Sequence, residues 1–402
     1  MRRVTTVALV VACSGAISAA IAVGCSSDDT VTPPTDASAD TISADVTADA
    51  DGGTPCAPFV MPASCGDDGG MPDGLECTGL YGDFAKRTLA CDVREFAPGF
   101  PLWSDAALKR RFVYLPPGSK IDVTDVDEWT FPAGTKMWKE FSLATDGGVE
   151  VVETRFFWKA PDKLVPEGIW KWTTFVWSTD GKTATRNDTG LTNVRGTTYE
   201  IPSHGQCDGC HGGRQDKVLG FDAILMSAPE ATGFTYGELL SSGRLKTSSS
   251  GGPPAASALQ IPGKPGERAA LGYLHSNCGV ACHNASSPSP ANLSGLHMKL
   301  KSDALGSVAA TDTIVTGANK KPGNNWPLQP PAPDGGWYAI HPGDVSRSLV
   351  PARMAIRDLD VDGGRAQMPP IISHRIDDAG VSTVTSWIGS MTVDGGYPAP
   401  AP

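Results

Sequence analysis

Residues 170–178 read Trp-Lys-Trp-Thr-Thr-Phe-Val-Trp-Ser, and this stretch decides the fold of the first half of the chain. Successive side chains of a strand point to opposite sides, so these aromatic residues fall on both faces. A strand that is bulky on both faces is covered on both sides, as in a sandwich of two sheets. Strand-like runs at 112–115, 135–143 and 149–158 precede it, separated by Gly-containing turns. We therefore predict an antiparallel β-sandwich over residues 96–205.

The composition of the 402-residue chain limits the fold and the partner. Glycine and proline number 46 and 33, and charged residues make up 19%. This abundance of turn formers argues against long helical bundles and coiled coils. The formal net charge of −11 disfavours a nucleic-acid partner, because surfaces that bind nucleic acid are basic. The length allows two or three domains, and we predict an α+β multidomain protein.

The amino terminus carries a pattern typical of export. Two arginines and a mostly apolar stretch follow the first methionine, which predicts a signal peptide over residues 1–24. The segment from Ile21 to Cys25 resembles the bacterial lipobox, although Ala22 stands where leucine is usual. The resemblance implies a lipid anchor on Cys25 and therefore attachment to a membrane. Ordinary cleavage at a neighbouring Ala-x-Ala-like site is the alternative.

The residues after the predicted anchor contain almost nothing to bury. Residues 25–55 are mainly Ser, Thr, Asp, Ala, Gly and Pro, which predicts a disordered acidic tether. By analogy with the enterobacterial sorting rule, Ser26 in place of Asp favours the outer membrane over the inner membrane. The protein would face the periplasm or the cell surface there. Residues 394–402 are interpreted as a tail.

Four cysteines cluster in a segment over residues 56–95 that is rich in Gly, Asp and Pro. They are Cys56, Cys65, Cys77 and Cys91. In an oxidising compartment, two disulfides are the economical use of four such residues. All three pairings remain open. A zinc site is the alternative, but no histidine lies near and the spacings are irregular.

Residues 207–211, Cys-Asp-Gly-Cys-His, form a C-x-x-C-H motif. In such a motif the two thiols, here Cys207 and Cys210, bond to the vinyl groups of haem, and the histidine, here His211, ligates the iron. A redox dithiol and half of a zinc site are the alternatives. Neither a thioredoxin-like βαβ setting nor a second pair of ligands is evident. We predict a first haem c in residues 206–263, together with two short helices.

Residues 278–283, Cys-Gly-Val-Ala-Cys-His, form a C-x-x-x-C-H motif that is one residue longer than usual. On a helix the extra residue rotates the first thiol by about 100° and adds a rise of about 1.5 Å. Both bonds to a haem therefore form only if the loop is rebuilt. A disulfide between Cys278 and Cys282, with His283 on the surface, is the alternative that the residues leave open.

The surroundings of this longer motif favour a second haem c. A helical pattern over 267–274 precedes it and buries Leu271 and Leu274. A Met-Pro-Pro sequence follows, and then a helix capped by Asp377 or Asp378. The apolar positions of that helix form one stripe: Val381, Val384, Trp387, Ile388 and Met391.

This order of elements resembles a small all-α class I cytochrome c domain across residues 264–393. In that family the motif histidine and a loop methionine are the two axial ligands of the iron. The resemblance therefore implies His283 and Met368 as ligands. Met354 is ranked second, because it reads as a helix position that faces the core. A thioether ligand raises the reduction potential toward the values of electron carriers.

Several other residues are weaker candidates. Phe131 to Thr135, followed by Lys139, resembles β-sandwich cytochromes whose haem c is crosslinked to a lysine and which oxidise small nitrogen compounds. Met226 and His204 are possible distal ligands of the first haem, and the sequence does not separate them. The remaining histidines are expected at the surface or behind the ligands: His275, His297, His341 and His374.

Six segments together are similar, in this order, to an uncharacterised family of secreted bacterial cytochrome-c-like proteins. They are Pro101 to Asp105, Phe131 to Thr135, Glu153 to Arg155, Gln206 to His211, Tyr273 to His283 and Met368 to Pro370. The resemblance implies haem binding and electron transfer but names no substrate.

We therefore predict an exported, lipid-anchored dihaem cytochrome c that exchanges electrons with a redox protein or a small donor or acceptor. One alternative is a haem enzyme, peroxidase-like or acting on small nitrogen compounds at the first haem. The other is a disulfide-stapled envelope protein with a binding or structural role and one haem or none.

Overall fold

The structure is a computed structural model, and it describes residues 56–66, 70–145, 147–288, 290–323, 332–357 and 367–392. The predicted signal peptide, the lipid-anchor residue Cys25, the tether and the tail lie outside the described residues. The described residues all belong to one compact unit. They form a mixed α/β structure with a large antiparallel sheet and few helices.

The strands belong to one large sheet and two small ones. In chain order they are β1 (Tyr81–Asp83), β2 (Thr88–Leu89), β3 (Val93–Ala97), β4 (Leu108–Tyr114), β5 (Ile121–Asp122), β6 (Lys136–Thr145), β7 (Gly148–Ala160), β8 (Ile169–Trp177), β9 (Ala184–Asn187), β10 (Thr232–Gly233) and β11 (Leu245–Lys246). The large sheet has the order β10-β3-β4-β6-β7-β8-β9 and is antiparallel throughout. β1 pairs with β2, and β5 pairs with β11.

The strand predictions are confirmed for the central strands. The four predicted runs correspond to β4, β6, β7 and β8, and each strand differs from its run by a few residues at the ends. The sheet extends beyond the predicted range of 96–205, because β3 begins at Val93 and β10 lies at Thr232–Gly233. β10 could not be recognised from the sequence, because it is only two residues long.

Both faces of the large sheet are covered, as the bulky residues of 170–178 predicted. One face presents Phe112, Trp138 and Phe156, which pack in one core with Leu75 and Leu80 of the Cys-rich segment. The other face packs against residues that flank β10 in the sequence, such as Phe221 and Tyr236. Among the described residues the remaining sheets have two strands each, so the cover consists of short elements and loops.

All the described α-helices follow β9 in the sequence. They are α1 (His204–His211), α2 (Ala223–Ser227), α3 (Tyr236–Ser241), α4 (Pro265–Leu274), α5 (Asp312–Gly317), α6 (Leu349–Met354) and α7 (Asp378–Ser390). α1 and α2 precede β10, the last strand of the large sheet in chain order. A π-helical turn, His275–Gly279, follows α4 directly. Short 3₁₀ helices connect several of these elements. The two short helices predicted after the first motif are α2 and α3.

The two helices predicted around the second motif are confirmed. α4 buries Leu271 and Leu274, both 0% exposed. α7 is capped by Asp377, whose side chain accepts a hydrogen bond from the backbone N–H of Gly380. The apolar stripe of α7 packs in one core with α4, and this core also includes Ile224. The helices of the C-terminal part therefore share their core with the segment that precedes them.

The four clustered cysteines form two disulfides in the structure. Cys56 is bonded to Cys91, and Cys65 is bonded to Cys77. This is one of the three pairings that the sequence left open. Both disulfides lie within the Cys-rich segment. The segment packs against the large sheet through residues that contribute to the core on that face.

Candidate functional site

The first motif lies entirely on α1. Ser203 caps this helix in a capping box with Gln206, whose side-chain oxygen accepts a hydrogen bond from the Ser203 backbone N–H at 2.8 Å. Cys207 lies in the first turn and donates a hydrogen bond to the Ser203 carbonyl at 3.5 Å. His211 is the last residue of the helix. One short helix therefore presents both thiols and the imidazole.

The imidazole of His211 is held in one orientation and one tautomer. Its Nδ1 lies 2.6 Å from the carbonyl oxygen of Lys217. Because a carbonyl can only accept, Nδ1 carries the proton, and Nε2 keeps a lone pair that can bind a metal. The ring packs against Phe157, with 4.4 Å between ring centroids. Burial lowers the pKa of His211 to about 4, so the side chain is neutral at pH 7.

The second motif absorbs its extra residue by a wider turn. The backbone N–H of His283 bonds to the carbonyl of Cys278, five residues earlier, at 2.8 Å. The π-helical turn just before it shows the same spacing, with Val280 N–H bonded to the carbonyl of His275. A π turn is the form in which helices accommodate one inserted residue. A π turn therefore accommodates the inserted residue of the C-x-x-x-C-H motif.

His283 repeats the arrangement of His211. Its Nδ1 donates to the carbonyl oxygen of Leu296 at 3.1 Å, which again leaves the lone pair on Nε2. Burial lowers the pKa of His283 to about 4. Two histidines at different positions in the fold thus share the neutral tautomer that suits metal ligation.

The second motif borders a cavity of about 520 Å³. This volume is within the range of sites for small organic molecules and cofactors. The cavity brings together residues that the sequence selected and others that it did not. The selected residues are Cys278, Cys282, His283, Met354 and Met368; the others include Tyr273, Met298, Arg353 and Arg357.

The loop that carries Met368 is fixed on both sides. The backbone N–H of Met368 donates a hydrogen bond to the carbonyl of Arg353 at 2.9 Å. The buried side chain of Gln367 donates to the carbonyls of Pro369 and Ser373, at 2.9 and 3.0 Å. Met354, at the end of α6, is 5% exposed and lines the same cavity. Both methionines thus remain candidates for a ligand position.

The two motifs lie against each other. The thiol of Cys282 is a hydrogen-bond partner of the thiol of Cys210, and this contact and burial raise the pKa of Cys210 well above its usual value. Burial raises the pKa of Cys278 to about 12. It also raises the pKa of Cys207. These thiols are therefore protonated at neutral pH, which is not the state of a nucleophilic cysteine.

A buried charged network connects the loops that follow the two motifs. The carboxylate of Glu128 accepts a hydrogen bond from Arg214 at 3.1 Å and also binds Lys299. Arg214 follows the first motif and also reaches Asp222, at 3.4 Å. Lys299 follows Met298, whose backbone N–H bonds to the carbonyl of His283 at 2.8 Å. Glu128, in the loop before β6, therefore joins both segments.

A basic cluster lies on the sheet face beside the first motif. Lys139 of β6 pairs across the sheet with Arg111 of β4 and Arg155 of β7, so the three side chains share a face. Arg155 binds the carboxylate of Glu153 through two hydrogen bonds of 3.0 and 2.8 Å. Burial and the neighbouring cations hold the pKa of Lys139 well below its usual value. The sequence offered only Lys139 as a candidate here.

The other candidate residues occupy varied positions. His275 was expected at the surface or behind the ligands; it is 1% exposed, so the surface prediction is wrong. Its Nδ1 accepts a hydrogen bond from the Leu300 backbone N–H at 2.9 Å, which explains its burial. The ring of His204 stacks on Trp172, and Met226 is buried in the core that covers the sheet. His297 and His341 are partly buried, and His374 binds Glu200 at 3.0 Å.

Comparison with known proteins adds no relative. No protein-family model, no curated protein and no solved structure matches the chain. Within the described ranges, no helix is long and apolar enough to cross a membrane. Over the same residues, no group of three or more His, Cys, Asp or Glu side chains could hold a metal ion.

Proposed function

We propose that this protein is an exported, lipid-anchored dihaem c-type cytochrome that carries electrons one at a time. Its sheet region, proposed as a β-sandwich, holds the first haem, and a class I cytochrome c domain over 264–393 holds the second. It would belong with the secreted cytochrome-c-like proteins that its motifs resemble. The single observation that carries the proposal is the cavity of about 520 Å³, which gathers two thiols, a neutral imidazole and two methionines.

The residues around this cavity fit a covalently held haem. Haem iron needs only one or two protein ligands, so a cluster of three metal-binding side chains is not required. Cys278 and Cys282 supply thiols for two thioether bonds, and His283 supplies an Nε2 lone pair. Met368 or Met354 supplies the second axial ligand. Arg353 and Arg357 line the same cavity and suit the two carboxylates of the group.

The residues of the first motif support a second attachment site. Cys207 and Cys210 lie on one helix with His211, whose Nδ1 proton is engaged by a carbonyl. The bound group would supply iron that changes between the ferrous and ferric states. The chain itself fixes the imidazole, excludes water with apolar residues and keeps the histidine neutral.

Intact mass after denaturation tests the proposal. The protein is produced in a host that exports it and attaches haem c, and two covalent haems per chain are expected. A Cys207→Ala/Cys210→Ala double variant and a Cys278→Ala/Cys282→Ala double variant each lose one haem. Each variant replaces two motif cysteines by alanine, so each serves as the control for the other. A colourless chain without added mass would refute the proposal. A mass that corresponds to one haem would refute the dihaem protein and favour the alternative, a disulfide-stapled envelope protein with one haem.

A second candidate function is favoured by the basic cluster beside the first motif. Arg111 and Arg155 share the sheet face near His211 with Lys139, and the positive charges of the two arginines would attract a small anionic substrate. The first haem would then act as an enzyme centre with an open coordination position. A five-coordinate spectrum of the Cys278→Ala/Cys282→Ala variant, with rapid binding of small ligands, is the expected signature. A six-coordinate spectrum that excludes ligands would contradict this function.

A further inference from the structure

The backbones of the two motifs touch directly. A Cβ atom placed on Gly213, two residues after His211, would lie 1.9 Å from the carbonyl oxygen of Ala281. Ala281 immediately precedes Cys282 in the second motif. No side chain fits between the two segments at this point, so glycine is required. The first and second motifs are therefore packed backbone against backbone.

The contact continues through the side chains. The thiols of Cys210 and Cys282 are hydrogen-bond partners, although the two residues are far apart in the sequence. Each is the cysteine that directly precedes the histidine of its motif. Glu128 binds both Arg214, which follows the first motif, and Lys299, which follows the second. This buried network therefore helps to fix the relative position of the two motifs. The contact is thus supported by several independent elements.

We propose that Cys210 and Cys282 form the electron-transfer junction of the protein, so that the groups attached to them exchange electrons directly. The inference rests on the proposed function. Attachment would add each thiol across a vinyl group: an S–C and a C–H bond form, the S–H bond and the π bond of the vinyl group are lost, and the sulfur stays where the chain holds it. Cys210 and Cys282 would then hold the two groups on neighbouring sulfur atoms. The groups would supply iron that changes between the ferrous and ferric states, and an external donor and acceptor would supply and remove the electron.

Close contact between the two groups has a second consequence. Two like charges that approach in a medium of low dielectric constant interact strongly, so oxidation of one centre opposes oxidation of the other. The two centres would then titrate as a pair rather than independently, as coupled ionisable groups do. Each single-haem variant lacks this interaction. In the variant that keeps only the centre oxidised second, the reduction potential of that centre should therefore be lower than in the complete protein.

Circular dichroism in the Soret region tests the junction in the haem-loaded, full-length protein. The spectrum of the complete protein is compared with the sum of the spectra of the two double-alanine variants. Contact between the groups predicts an additional signal with lobes of opposite sign, and a lower potential of the centre oxidised second once the other haem is removed. Two covalent haems by mass with a strictly additive spectrum would overturn the junction and leave the proposed function intact. Fewer than two haems would overturn both.

A pair of glycine variants tests the packing itself. Gly213→Ala places a methyl group against the carbonyl of Ala281 and forces the motifs apart without changing a cysteine or histidine. The additional Soret signal should weaken while both haems remain attached. Gly205→Ala is the matched control, since it lies on α1 and nothing lies within 4 Å of its added Cβ. An unchanged signal in a folded Gly213→Ala protein would count against the junction; the additivity comparison decides the matter if that variant does not fold.

Discussion

Neutralising Glu128 should destabilise the protein far more than neutralising an exposed partner of an arginine. The side chain of Glu128 is 12% exposed, and it faces Arg214, which is 4% exposed, and Lys299, which is 10% exposed. Glu128→Gln leaves two buried cations opposite a neutral amide. Breaking a buried ion pair by removing one partner costs about 3–5 kcal/mol. We expect a loss of this size in the free energy of unfolding.

Glu95→Gln provides the matched control. Glu95 also binds an arginine through two hydrogen bonds, to Arg110 at 2.9 and 2.7 Å, but both side chains are more than 40% exposed. An exposed pair contributes about 0–1 kcal/mol. The assay is urea unfolding of the haem-loaded protein, followed by tryptophan fluorescence. Equal losses for the two variants would refute the conclusion that the network around Glu128 is a buried structural connection.

The same network has a pH dependence with a definite sign. Burial alone would raise the pKa of Glu128, but the charges of Arg214 and Lys299 outweigh it and hold the pKa below its usual value. The contribution of Glu128 to stability is therefore present above the pKa of the unfolded chain. It is lost as the pH falls through the lower pKa of the folded protein. The difference in stability between wild type and Glu128→Gln should shrink on acidification below about pH 4.

Three further predictions concern the histidines, the methionines and the disulfides. In the haem-free protein, burial lowers the pKa of His211 and His283 to about 4, below the value of about 6.5 in an unfolded chain. The unfolded state therefore binds more protons between these values, and unfolding of the haem-free protein should become easier as the pH falls from 6.5 to 4. A constant melting temperature over this range would contradict this prediction. Met368→Ala should lower the reduction potential of the second haem, because it removes the proposed thioether ligand. Met354→Ala truncates a buried core side chain, so it should cost about 2–5 kcal/mol of stability and leave the potential unchanged. Redox titration and urea unfolding measure the two effects, and the reverse pattern would assign the ligand to Met354. Removing the Cys56–Cys91 disulfide, which spans 35 residues, should cost about 1 kcal/mol more stability than removing Cys65–Cys77, which spans 12. The reason is that closing the longer loop restricts the unfolded chain more. Urea unfolding midpoints measure the difference, and the opposite order would show that native contacts dominate.

Much of the fold could be predicted because its signals are local. The run at 149–158 predicted most of β7, and Asp377 was one of two proposed caps for α7. Alternation along a strand and capping of a helix depend on residues that are close in sequence, so they can be recognised without knowledge of the fold.

Long-range contacts could not be predicted. Nothing in the spacing of the motifs indicates that Cys210 meets Cys282, because the approach depends on Gly213 in one segment and Ala281 in another. His275 was expected at the surface or behind the ligands, and its hydrogen bond with the backbone of Leu300 and its position near Asp222 show that it is buried. The sequence ranked the first motif above the second, whereas the cavity lies at the second.

The disulfide between Cys56 and Cys91 determines how the protein would respond to mechanical load. In the proposed lipid-anchored protein, tension applied at Cys56 would pass through the covalent bridge to Cys91, two residues before β3. The polypeptide between these cysteines, including β1 and β2, would be shielded from the pull. Such a pull would therefore load β3 of the large sheet while the Cys-rich segment keeps its fold.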